Sequence, residues 1–289
     1  WAGSSRVARS LRVQSSQIIG LIVSDIQNPF FTSLVRAVED QAYNHNHAIF
    51  LCNSDEDIDK ESLYINLMLT ERVAGVIITP TKEQDTQINN LIQARIPVVV
   101  VDRRVRDLDL DTVIVDNIEG SFNLINHLIN RGHRRIGAVV SPQETGQERL
   151  IGYEKALRNR NIPIDKELIR ICLPRTNNGY QNTNELLDLK EPPTAIFAGN
   201  NLLAIGALNA IKDRHLSIPN QISLVSFDDM EWASLITPSL TAISQPTYEI
   251  GQTAINLLLD HINNPARPAI EKVLHTTLHE RNSVAQLLK

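Results

Sequence analysis

The stretch Ile18 to Tyr43 reads IIGLIVSDIQNPFFTSLVRAVEDQAY, and it decides the fold. Ile18 to Val23 form a short, continuous apolar run rich in branched side chains, which predicts a strand covered on both faces. After a polar turn ending in Asn28-Pro29, apolar residues return at three- and four-residue spacing from Phe30 to Tyr43, the period of an amphipathic helix. A buried strand feeding a helix is the unit of a parallel sheet.

The unit recurs. Further strands are expected at Ala48 to Cys52, Gly75 to Thr79, Val98 to Val101 and Thr112 to Val115, and in the second half at Ile136 to Val140, Leu168 to Cys172, Ala195 to Ala198, Ile222 to Phe227 and Leu240 to Ile243. Helical patterns lie between them at Glu61 to Thr70, Gly120 to Arg131, Arg149 to Arg160 and Leu202 to Arg214. Gly132 follows its helix as a left-handed cap would, and Pro97 and Pro219 stand at strand entrances. The expected fold class is α/β, two doubly wound parallel-sheet lobes joined by crossover strands. A last helix, Tyr248 to Ile262, follows all ten strands and is expected to cross back to the first lobe, so that the lobes close as hinged bodies.

A chain of 289 residues is long enough for two cores. With 42% hydrophobic and 21% charged residues and no apolar run near the length of a span, it reads as globular, with no membrane role. Nothing near Trp1 to Gln17 looks like an export signal, which makes the cytoplasm the default compartment. The net charge of -5 excludes a wholly basic nucleic-acid footprint, although Arg6, Arg9 and Arg12 make a small cationic arm before Asp25. Cys52 and Cys172 sit in apolar stretches as core residues. Asp107-Leu108-Asp109-Leu110-Asp111 lacks the glycine and the downstream glutamate of a calcium loop and reads as a solvated acidic turn. No zinc, dinucleotide, phosphate-loop or nucleophile-elbow motif occurs, so no metal, cofactor or enzymatic activity is expected.

Ligands of doubly wound sheets bind beyond the carboxyl ends of the strands, where this chain places Asn28-Pro29-Phe30-Phe31, Asp102-Arg103, Asn200-Asn201 and Asp228-Asp229. At these positions the sequence resembles a known family. Ile19-Gly20-Leu21-Ile22-Val23 with Asn28 to Phe31, Val73-Ala74-Gly75-Val76-Ile77-Ile78, Ile96-Pro97-Val98-Val99 ending in Asp102-Arg103, and Gly132-His133-Arg134-Arg135-Ile136 occur in the order of the lactose/galactose repressor family. So do Arg149-Leu150-Ile151-Gly152-Tyr153, Ala195-Ile196-Phe197-Ala198, Ser226-Phe227-Asp228-Asp229 and Pro238-Ser239-Leu240-Thr241.

The resemblance implies the effector-binding and dimerising core of a sugar-responsive repressor, with the fold of type I periplasmic binding proteins. It implies a first lobe over residues 16–117 plus 245–266 and a second over residues 118–244 plus 267–289. Residues 1–15 would carry the remnant of a hinge helix, with Leu11 as a minor-groove wedge and Arg9 and Arg12 near phosphates of operator DNA. A helix-turn-helix head would precede it, and none is visible in this sequence. Implied effector contacts are Phe30 and Phe31 for stacking, with Asp102, Arg103, Arg149, Asn200, Asp228 and Gln245 for hydroxyls, from both lobes.

The chain departs from the family pattern at Asn201, where many members carry an acid, and at Leu173-Pro174-Arg175-Thr176, which lacks an aromatic. The expected effector is a monosaccharide such as ribose, since a purine would want more aromatic sandwiching. The expected partner is a second copy of the chain, whose two-fold would match paired half-sites. The alternative is a periplasmic sugar-binding protein of a transporter, since the same fold serves both.

Overall fold

The computed structural model describes residues 16–84 and 87–287. The opening stretch is strand β1 (Ile18–Val23) followed by helix α1 (Pro29–Asn44). The helix starts there because the Asn28 side-chain oxygen accepts a hydrogen bond from the Phe30 amide at 3.0 Å. Pro29 takes the first helical position, where a missing N–H costs nothing.

The pattern continues with β2 (Ala48–Asn53), α2 (Ile58–Thr70), β3 (Gly75–Ile78), α3 (Ile88–Gln93), β4 (Val98–Val101) and β5 (Asp111–Val115). A second series comprises α4 (Asn117–Asn130), β6 (Ile136–Val140), α5 (Glu144–Asn159), β7 (Ile169–Ile171) and α6 (Thr176–Leu187). It goes on through β8 (Ala195–Ala198), α7 (Asn201–Asp213), β9 (Ser223–Phe227), α8 (Glu231–Leu235) and β10 (Thr241–Ser244). Helix α9 (Thr247–Asn263) and strands β11 (Glu271–Leu274) and β12 (Thr277–His279) follow.

The chain divides into two compact units. One runs as far as Ile114 and resumes over Thr247–Lys272; the other comprises Val115–Pro246 and the chain from Val273 onward. Each holds a six-stranded sheet, and the strand orders correspond: β2-β1-β3-β4-β5-β11 in the first and β7-β6-β8-β9-β10-β12 in the second. Strand β1 pairs parallel with both β2 and β3, β6 does the same with β7 and β8, and β12 runs antiparallel to β10. In each unit the winding direction reverses between neighbouring strands, β1 and β3 or β6 and β8. Such reversals open a crevice at the carboxyl ends of the strands.

Both faces of each sheet are covered, which is why its strands are apolar throughout. In the second unit Ala195 and Phe197 of β8 join the cluster of Leu124, Leu128, Tyr153 and Phe227, while Ile196 and Ala198 join that of Leu186, Leu203 and Leu224. Each large side chain so buried contributes roughly 1.5–3 kcal/mol. In the first unit α9 packs on α1 where Gly251 meets the Leu34 carbonyl, and Thr247 donates to Ser33 while Tyr248 donates to Asp40.

The structure corrects the sequence reading in three places. The helix near residue 250 does not follow the last strand, because β11 and β12 come after it and supply the sixth strand of each sheet. These strands are short, and most of their residues are exposed, so no apolar run announced them. Helices α3, α6 and α8 were also unmarked, being short or polar. The acidic turn is solvated only in part: Asp107 and Asp109 are exposed, but Asp111 lies fully buried in β5. There it accepts from Arg267, from the Ile270 amide at 2.9 Å and pairs with His261. Burial works against its charge, yet those hydrogen bonds hold its carboxyl below the usual range.

Candidate functional site

In the second unit, four of the sequence-predicted groups gather at the carboxyl ends of β6, β8, β9 and β10. Arg149, on α5 beyond β6, is 5% exposed. Its Nε donates to Asn117 Oδ1 at 2.9 Å and its Nη1 to the Gly199 carbonyl, just past β8, at 2.7 Å. The arginine thus spans the winding reversal. The guanidinium carbon lies 3.8 Å from the centroid of the Phe227 ring, a cation–π contact.

The spacing Arg149-x-x-Gly152-Tyr153 has a packing reason. A Cβ on Gly152 would stand 2.3 Å from the Ile118 carbonyl oxygen, so only glycine lets α5 lie this close to α4. Tyr153 anchors the next position by donating to the Ile136 carbonyl at 2.8 Å, and burial pushes its phenol well above the ordinary range. Arg149 is therefore presented by a helix gripped on both sides of the motif.

Asn200 caps α7, its side-chain oxygen accepting from the Leu203 amide at 2.9 Å. Asp228 follows β9 in the left-handed region at φ 72°. One of its oxygens accepts from the Asn201 amide at 3.4 Å and the other from Gln245 Nε2. Gln245 Oε1 is buried and has no hydrogen-bond partner among the described residues. Asp229 points elsewhere and takes a two-pronged pair from Arg281 at 2.7 and 2.6 Å.

The first unit places its candidates at the corresponding strand ends. Phe30 and Phe31 open α1, both buried, edge to face with ring centroids 4.9 Å apart. Asp102 follows β4 at φ 73°. Arg103 is 5% exposed and grips Glu56 with two bonds of 2.8 and 2.9 Å while reaching Asp102 at 3.2 Å. Burial opposes its charge, but the two carboxylates outweigh that and hold the guanidinium above its ordinary value. The hinge residues Arg9, Leu11 and Arg12 lie outside the described residues.

Sequence reasoning missed Asn117, Glu148, Gly199, Phe227 and Glu56. The strand-end rule that selected Asp102 and Asp228 also covers Asn117, which lies two residues past β5 at the start of α4. Nothing local marks Glu56, which reaches Arg103 only through the fold. Chemically, the second unit offers a guanidinium donor packed on a buried aromatic ring, a carboxylate acceptor and side-chain amides. Such a set can grip a hydroxylated molecule by donation and acceptance at once. Among the described residues no cluster of three or more His, Cys, Asp or Glu side chains is arranged for a metal, and no helix is long and apolar enough to cross a membrane.

Comparison with known proteins matches residues 125–284 to the periplasmic binding protein-like domain family. The chain is 36% identical over 285 residues to the HTH-type transcriptional repressor PurR of Pectobacterium atrosepticum, covering 97% of this chain and 84% of that protein. It is 33% identical over 280 residues to the HTH-type transcriptional regulator RegA of Clostridium saccharobutylicum, covering 96% and 84% respectively. Among solved structures, it resembles a LacI family transcriptional regulator from Enterococcus faecium with bound ribose. That likeness has a TM-score of 0.85 at 35% identity, over 94% of this chain and all of the other.

Proposed function

This chain belongs to the lactose/galactose repressor family of transcriptional regulators, and from that premise we propose that it is the core of a repressor governed by a monosaccharide such as ribose. The observation that carries the reading is the second unit's site, where buried Arg149 packs over the Phe227 ring and Asp228 is braced by Gln245. A sugar presents apolar C–H faces ringed by hydroxyls. A guanidinium and a carboxylate, each contributing roughly 1.5–3 kcal/mol per hydrogen bond, select such a rim, and the Phe30 and Phe31 rings suit the apolar faces. Gln245 Oε1, buried without a hydrogen-bond partner among the described residues, is suited to accept from one of those hydroxyls. Asn200 completes the second unit's set, and Phe30, Phe31, Asp102 and Arg103 are the first unit's contribution.

In this reading the protein acts in the cytoplasm as a homodimer and has no catalytic role. Operator DNA is bound by a helix-turn-helix head, with Arg9, Leu11 and Arg12 in the hinge segment that follows it. Effector binding shifts the population between two arrangements of the core, by about 1–3 kcal/mol of coupling.

A thermal-shift screen of pentoses, hexoses and purines tests the assignment. At a hundred times its dissociation constant the true effector stabilises by about 2.7 kcal/mol. Ribose or a close relative is expected to do so, and Arg149→Ala to abolish the shift. Stabilisation by purines alone would overturn the sugar assignment.

A further inference from the structure

Asn117 has no assigned role, yet it stands between two groups of opposite hydrogen-bonding character. Its Oδ1 accepts from Arg149 Nε at 2.9 Å, and its Nδ2 donates to Glu148 Oε2 at 2.9 Å. A guanidinium only donates and a carboxylate only accepts, so the orientation of the amide is fixed by its neighbours. Few side chains offer one donor and one acceptor on a stem this short. Asn117 is 1% exposed, with both ends of its amide engaged by protein groups.

Its place in the chain matters equally. The chain passes from one unit to the other at 114/115, 246/247 and 272/273. Asn117 comes just after the first passage. Its neighbour Asp116 accepts from the Thr276 amide at 2.8 Å and pairs with His275 at 2.9 Å, and both of those residues lie just after the third passage. Gln245, which holds Asp228, comes just before the second passage. The groups that steady both charges of the site are crossover residues.

From this geometry we infer that Asn117 is the positioning residue for Arg149, and that through it the orientation of the effector-binding guanidinium depends on the crossover segments. The inference deepens the proposed function and rests on it for the identity of the ligand, but not for the state of Arg149.

Two measurements test it. In the unliganded protein, labelled arginine gives an NMR signal for the Arg149 Nε–H, assigned by its loss in Arg149→Lys. Asn117→Asp, which keeps the acceptor but sets a second carboxylate against Glu148, is expected to expose that proton to rapid solvent exchange. Adding Glu148→Gln restores a donor opposite the new carboxylate and is expected to restore protection. Unchanged protection in Asn117→Asp, with the fold intact by circular dichroism, overturns the inference whatever the ligand.

The second measurement is calorimetric titration with D-ribose. Asn117→Asp is expected to weaken binding about tenfold, an effect lost in an Arg149→Lys background that has no Nε donor at that place. A penalty equal in both backgrounds overturns the inference. Absence of ribose binding to the unaltered chain counts against the sugar assignment instead, and the NMR result then decides the role of Asn117.

Discussion

The two units repeat one strand order, and each ends its fourth strand on an aspartate in the left-handed region, Asp102 at φ 73° and Asp228 at φ 72°. They use that shared geometry differently. In the first unit the cation is the next residue, Arg103, which turns back on Asp102 and clamps Glu56. In the second unit the residue after the aspartate is another acid, Asp229, tied to Arg281, and the cation comes from a separate helix as Arg149. Arg149 leans on an amide, a carbonyl and a ring, Asn117, Gly199 and Phe227. Two carboxylates grip the arginine of the first unit. An amide oxygen, a backbone carbonyl and a π face hold Arg149 in place. One backbone motif thus stands beside an arginine from the adjoining residue in one unit and beside an arginine from a separate helix in the other.

That contrast is tested first where the largest effect is expected. Glu56→Ala strips the buried Arg103 of its two-pronged partner and should destabilise the first unit by about 3 kcal/mol, the low end for breaking a buried pair. Urea denaturation reads it. A loss under about 1 kcal/mol would place this pair with surface pairs and remove the contrast.

Next is Gly152→Ala. The added methyl must displace α5 from the Ile118 carbonyl, costing about 2 kcal/mol as overpacking and carrying Arg149 away from Asn117. Stability and ribose affinity should fall together, whereas an equivalent intrusion in the first unit, Gly251→Ala against the Leu34 carbonyl, should lower stability with much less effect on affinity. Equal losses of affinity would erase the distinction. Tyr153→Phe removes only the hydrogen bond to the Ile136 carbonyl and should cost about 1 kcal/mol in a thermal melt, with the affinity kept.

The smallest effect expected is with pH. His133, fully buried between Thr194 and Ser223, and His127, beside Glu280, both belong to the second unit, and burial lowers both imidazoles below 6.5. A base whose pKa is depressed by folding binds its proton more readily unfolded, so stability rises with pH and is lost as pH falls below about 6.5. Asp111 in the first unit is held below the ordinary 3.8, so its contribution is lost only on acidification through that lower range. At pH 5.5 the second unit should therefore lose protection before the first in hydrogen-exchange mass spectrometry. Simultaneous loss would mean that the buried histidines do not govern acid stability.

The sequence alone determined the β-α succession and the strand-end positions of Phe30, Phe31, Asp102, Arg103, Arg149, Asn200, Asp228 and Gln245. Continuous apolar runs and a helical period follow from covering a sheet on both faces, and that constraint is written locally. It did not reveal β11 and β12, because an edge strand is held by backbone hydrogen bonds and tolerates polar side chains. Nor did it reveal the burial of Asp111, whose partners His261 and Arg267 lie some 150 positions on. Tertiary structure alone decided what each charge is for. Arg103 and Arg149 are the same residue type, and the partners that distinguish them, Glu56 in one case and Asn117, Gly199 and Phe227 in the other, are brought to them only by the folded chain. The energy of a charge depends on its neighbours in space, and a linear sequence does not contain them.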